Sequence, residues 1–151
     1  MVQLNIPPFD YKIKEIKGKI CIFDIIRKKY LVLTPEEWVR QHLVHLLLGQ
    51  YQYPKSLIRI EGGLTYNRLQ KRSDIVVFDR ASNPFLLIEC KAPEITINQS
   101  VVEQASRYNL TLRCPHLAVS NGMNTFCFEI DFGSSKFQQM KDLPMMKILH
   151  E

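Results

Sequence analysis

Residues 73–91 constrain the fold more than any other stretch. They read Ser73-Asp74-Ile75-Val76-Val77-Phe78-Asp79, then Arg80-Ala81-Ser82-Asn83-Pro84, then Phe85-Leu86-Leu87-Ile88-Glu89-Cys90-Lys91. Two apolar runs rich in β-formers flank a polar, proline-containing link, which predicts a β-hairpin. Charged residues stand at one end of it: Asp74 opens the first strand, and Glu89 and Lys91 close the second. Strand side chains alternate, so Glu89 and Lys91 share a side and Cys90 takes the other. Three charged groups at the end of an apolar hairpin cost desolvation energy unless they pair or hold a metal.

The rest of the chain supplies elements to cover that hairpin. The length of 151 residues suits one domain with a single core. Tyr11–Ile16 and Lys19–Ile26 alternate around Lys17-Gly18 and predict an N-terminal hairpin spanning about 11–33. The Arg27-Lys28-Lys29 cluster reads as a solvated strand edge or turn rather than a dedicated phosphate contact. Thr34-Pro35-Glu36-Glu37 opens a helix, with Thr34 as N-cap, Pro35 at N1 and Glu37 completing a capping box. That helix runs to about Leu48, with Gly49 as breaker and Val39, Leu43, Leu46 and Leu47 on one apolar face. Glu36 projects onto that face and Glu37 off it, whereas His42 and His45 read as helix-surface residues.

Ser56–Glu61 predicts a strand, and Gly62-Gly63 a bend before Leu64-Thr65-Tyr66. A second helix is expected from about Asn98 to Leu112, with Gln104 and Tyr108 one turn apart. His116–Ser120 and Thr125–Ile130 form another hairpin about the Asn121-Gly122 turn. Residues 133–151 read as a tail with a weak helical pattern over Lys136–Ile148, broken at Pro144. The order predicts an α/β fold: a mixed β-sheet flanked by helices, with a core over about 34–132.

A net charge of +5 permits nucleic-acid binding without requiring it. The four cysteines lack metal-ligand spacing and are expected as reduced, buried thiols, with no structural zinc. No apolar run reaches about 18 residues and no signal-peptide pattern is seen, so a cytoplasmic protein with no membrane partner is expected.

Asp74, Glu89 and Lys91 with this spacing resemble the motif of the PD-(D/E)xK nucleases. More narrowly, residues from about Ile22 to Phe128 resemble the N-terminal nuclease domain of the R subunits of type I restriction enzymes. The resemblance is carried by Leu33-Thr34-Pro35-Glu36-Glu37 with Arg40-Gln41, by Arg72-Ser73-Asp74-Ile75, and by Ile88-Glu89-Cys90-Lys91-Ala92-Pro93. Gln104-xxx-Tyr108 and Ser120-Asn121-Gly122 complete it in the same order. Ser73 stands where the motif has proline.

The resemblance implies a restriction-endonuclease-like core and Mg2+- or Mn2+-dependent hydrolysis of DNA by metal-activated water. Asp74 and Glu89, hard oxygen ligands, would hold the metal with the backbone carbonyl of Cys90, and Glu36 would complete the shell directly or through water. Lys91 would orient the water or bind the phosphate, with Gln104 and Tyr108 positioning these groups from the helix. DNA and restriction–modification subunits are the implied partners, and a homodimer cutting both strands is compatible. Two other readings stay open: a non-catalytic module binding nucleic acid or a restriction complex, and a structural protein whose charged hairpin is a salt-bridge cluster.

Overall fold

The computed structural model describes residues 1–61 and 74–146. The expected Gly62-Gly63 bulge or bend, Leu64-Thr65-Tyr66 after it, and Arg72 and Ser73 of the motif lie outside the described residues. Three strands open the chain: β1 (Ile13–Ile16), β2 (Lys19–Asp24) and β3 (Lys29–Val32). Helix α1 (Pro35–Gly49) and a 3-10 turn at Lys55–Leu57 follow. Next come β4 (Ile58–Glu61), β5 (Asp74–Phe78), β6 (Pro84–Cys90), α2 (Gln99–Leu112), β7 (His116–Ser120), β8 (Thr125–Asp131) and β9 (Lys136–Met140). The order β1-β2-β3 makes one sheet and β4-β5-β6-β7-β8-β9 another. Among the described residues only the β6–β7 pairing is parallel, so the six-stranded sheet is mixed. A parallel neighbour requires a crossover, and α2 provides it.

The register explains the unbroken apolar run of β6. It pairs on both edges and is covered on both faces. Leu86, Ile88 and Cys90 enter the cluster under α1, with Ile75, Val77, Val39, Leu43 and Leu47. Leu87 enters a second cluster under α2, with Val76, Leu117, Val119 and Ala105. A strand buried on both faces has no polar side to show, so alternation vanishes from its sequence. Leu43 and Leu47, fully buried, contribute about 1.5–3 kcal/mol each by leaving water.

Helix α1 starts where its capping signal predicts. The Thr34 hydroxyl accepts a hydrogen bond from the Glu37 amide at 3.0 Å, with Pro35 at the first turn. Its apolar stripe faces the six-stranded sheet, but its other side is covered too, by Val2 and Phe9 of the N-terminal arm at Trp38 and His42 and by Arg27 at Glu37. His42 is therefore buried, not a helix-surface residue: its ring meets Trp38 and Phe9, and Nδ1 bonds Trp38 O at 2.8 Å. His45 is half-buried and stacks on Phe9 at 4.2 Å. The neighbouring arm carries the aromatic partners, and helix periodicity alone does not reveal it.

Three segments differ from the sequence expectation, the first being the strand expected over Ser56–Glu61, which begins only at Ile58 because Lys55–Leu57 form the 3-10 turn. The N-terminal hairpin is a three-stranded meander, because β2 stops at Asp24 and β3 returns along it. Asp24 turns the chain by accepting bonds from the amides of Ile26 and Arg27 at 2.8 and 2.9 Å. The helical pattern over Lys136–Ile148 is overridden at its start: Lys136–Met140 form edge strand β9 against β8, where backbone pairing and the stacking of Phe137 on Phe128 at 4.7 Å win over weak periodicity.

Candidate functional site

The β5–β6 register sets Asp74 directly opposite Glu89. Opposed residues of an antiparallel pair share a face, so the two carboxylates lie side by side. The next pair on that face, Val76 and Leu87, sits under α2. Asp74 is fully buried and Glu89 nearly so. Like charges facing each other across a ladder repel, and burial sharpens the repulsion. Lys91 supplies a cation: its Nζ lies 3.4 Å from Glu89 Oε2. Its amide donates to Ser120 O at 2.8 Å, prolonging the β6–β7 ladder one residue past β6.

Cys90 points the other way, into the cluster beneath α1. Burial pushes its thiol well up, while Arg40, Asp74, Glu89 and Glu36 all act on it electrostatically. The first turns of α1 thus come to the same end of β6 as the two carboxylates. Glu36 is half-buried there. Tyr108 is half-buried and packs with the α2 cluster on the carboxylate face, and Gln104 sits one turn earlier, exposed. Asp74, Glu89 and Lys91 are brought together, Tyr108 packs on the same side of the sheet, Glu36 stands in the first turn of α1 within electrostatic reach of Cys90, and Gln104 lies at the solvent edge.

Among the described residues, no set of three His, Cys, Asp or Glu side chains is gathered to hold a metal. Two adjacent carboxylates nonetheless suit Mg2+, which is commonly bound by one or two carboxylates, its own waters and substrate phosphate. The donor set does not suit zinc. The Cys90 thiol faces away and is held protonated by burial. The remaining thiols are free and buried, with Cys114 pushed up to about 12 and Cys127 to about 11, both chiefly by burial.

Two groups that shape the site escape a reading of the sequence. Glu37, expected to point outward, is buried, because the three-stranded sheet covers that side of α1. Its carboxylate accepts from Arg40 Nη1 and from Gln41 Nε2, the latter at 2.7 Å, with Arg27 Nη2 at 3.5 Å. Arg27 Nε donates to Asp24 Oδ2 at 2.7 Å. Burial pushes the Asp24 carboxyl up, but the Arg27 bonds and charge and the Ile26 amide outweigh it, so the group titrates below its ordinary range. This network ties β2 to the α1 turn beside Cys90.

The second is Asn121, buried in the β7–β8 turn. Its Nδ2 donates to Ile95 O at 2.8 Å, and its Oδ1 accepts from the amides of Met123 and Asn124. It fastens the loop after Lys91 to the sheet. Its signal was the Ser-Asn-Gly string, which reads equally as a plain turn.

A family model described as "Type I restriction enzyme R protein N terminus" matches residues 35–144, from the start of α1 past the end of β9. No curated protein and no solved structure matches the chain. The match covers well over half of the 151 residues, and the chain belongs to the family of type I restriction enzyme R protein N termini.

Proposed function

We propose that this domain is a Mg2+- or Mn2+-dependent DNA endonuclease domain with a PD-(D/E)xK core. The observation that carries the reading is the cross-strand pairing of Asp74 with Glu89, with Lys91 3.4 Å from Glu89. Family membership supports it. Asp74, Glu89 and the Cys90 carbonyl would hold the ion, with Glu36 completing the shell directly or through water. When bound, the ion supplies an acidified water and positive charge against the phosphate. Lys91 orients the attacking oxygen or binds a phosphate oxygen as a compact ammonium. Tyr108 and Gln104 position these groups from α2. DNA and restriction–modification subunits are the partners, met in the cytoplasm. Among the described residues, no helix is long and apolar enough to cross a membrane.

Purified protein with Mg2+ or Mn2+ is expected to nick supercoiled plasmid, and Asp74→Ala or Lys91→Ala to abolish nicking. Nicking unchanged in both variants refutes the assignment. The Lys91–Glu89 ion pair also favours a second reading, a non-catalytic binding module in which the lysine occupies the carboxylate. Calorimetry separates the two: the module binds DNA but takes up no Mn2+.

A further inference from the structure

Residues 12–29 hold seven lysine and arginine side chains against two acids, a net of +5, which equals the net charge of the whole chain. The charge of the protein is therefore concentrated on the three-stranded sheet and its two turns. That sheet precedes Pro35 and lies outside the family match. One of its acids, Asp24, is buried against Arg27, which leaves the exposed lysines less opposed.

The sheet has two distinct faces. Ile22 is fully buried against α1. On the other side, Cys21 is buried, while Phe23 and Tyr30 are half-buried and meet edge-on at 5.3 Å. Lys12 Nζ lies 5.8 Å from the Phe23 ring centre, and Lys14 Nζ 4.8 Å from that of Tyr30. An ammonium over a ring is held in place by the ring's negative face, so it meets an anion with less entropy to lose. Lys17 and Lys28 stand in the turns with φ of 51° and 56°. Glycine or asparagine takes that conformation with less strain, yet both turns carry an exposed ammonium there. Beside the β2–β3 turn lies a groove of about 560 Å³, lined by Arg27, Lys28, Lys55 and Arg59 and, among the described residues, by no acid.

We propose that the outer face of the three-stranded sheet, from Lys12 and Lys14 to Lys28, docks the phosphate backbone of duplex DNA. The choice of DNA as the polyanion rests on the nuclease reading above. Strand β2, six residues long, spans about 20 Å, which matches about six phosphates of one strand at 3.4 Å apiece. The Asp24–Arg27–Glu37 network fixes this face to the α1 turn that reaches β6. The sheet holds the duplex by charge, without reading its sequence, while the candidate site acts on it.

The test is fluorescence anisotropy with a labelled 20-base-pair duplex in EDTA, from 50 to 200 mM salt. Lys14→Gln, Lys19→Gln and Lys28→Gln are combined in one variant. Arg80→Gln, Lys136→Gln and Lys141→Gln, exposed and outside the three-stranded sheet, form a control of equal charge change. Circular dichroism melts confirm that both fold. Each phosphate that is no longer neutralised lowers the salt slope by about 0.9, so the first variant loses about 2.7 in slope and the ratio of its affinities at the two salts falls about 40-fold. The control is expected to retain the wild-type slope. Equal losses in both variants overturn the proposal, because net charge alone then explains binding. No binding by the wild type overturns it as well. Normal binding by the first variant removes the docking face and leaves the nuclease reading standing. Intact wild-type binding without metal-dependent nicking does the reverse.

Discussion

Asp24→Ala is the substitution that most directly tests how β2 is joined to α1. The Asp24 carboxylate is fully buried and accepts three hydrogen bonds, from the amides of Ile26 and Arg27 and from Arg27 Nε. Alanine leaves two amides without their acceptor and a guanidinium with only the longer 3.5 Å contact to Glu37. Breaking a buried ion pair by removing one partner costs about 3–5 kcal/mol. At roughly 2–4 °C per kcal/mol for a chain of this size, Tm is expected to fall by about 6–20 °C. Asp24→Asn keeps an acceptor oxygen for the amides and loses the charge, so it should fall between wild type and alanine. The carboxyl titrates below its ordinary range in the folded protein. Its charged form therefore stabilises the fold above pH about 4, the unfolded value, and that contribution is lost as pH falls through the lower folded value. Urea titrations of the three proteins at pH 7 and pH 3 measure both effects, and the gap between wild type and Asp24→Asn should narrow in acid. An alanine penalty under about 1 kcal/mol, or a gap indifferent to pH, refutes the reasoning.

Other outcomes are expected from the same structure. Leu47→Ala, in the fully buried α1 stripe, should cost about 2–5 kcal/mol in urea unfolding at pH 7. At Gly122, φ is 85° and an added Cβ would lie 2.8 Å from Leu4 Cδ2, so Gly122→Ala should destabilise by about 1–3 kcal/mol and loosen the N-terminal arm, read as a red shift of Trp38 fluorescence. Asn121→Ala, which frees Ile95 O and the loop after Lys91, should lower nicking more than it lowers Tm, as paired cleavage and melting assays would show. Burial, more than the bond to Trp38 O, sets the His42 titration below its ordinary value. Neutral His42 therefore supports the fold above pH about 6.5, and stability falls as pH drops below that towards the folded value; His42→Phe should show a smaller decline between pH 7 and 5.5 in urea midpoints.

Much of the fold was legible because local rules and tertiary packing agree. Thr34-Pro35 fixes the start of α1, the Asp79–Pro84 link fixes the β5–β6 hairpin, and Asn98 caps α2 by accepting from the Val101 amide. Asp74, Glu89 and Lys91 were legible as a group because period-two alternation and a short turn leave little freedom of register. The burial of Glu37 and His42 was not legible. It depends on β2 and the arm packing over the second side of α1, contacts that span the chain and leave no local pattern. Strand β9 was missed because its residues are mostly exposed and its order comes from pairing with β8.

The N-terminal arm has a consequence for how the chain is made. Asn5 Nδ2 donates to Met123 O, a partner 118 residues later. At a synthesis rate of about 5–20 residues per second, the arm waits roughly 6–24 s for that partner to be translated. Ile6 and Phe9 are made before most of the elements they pack against, and the core they cover closes only after β7 and β8 exist. For that interval the nascent chain carries the arm's apolar residues unburied, where a chaperone has its best opportunity to bind.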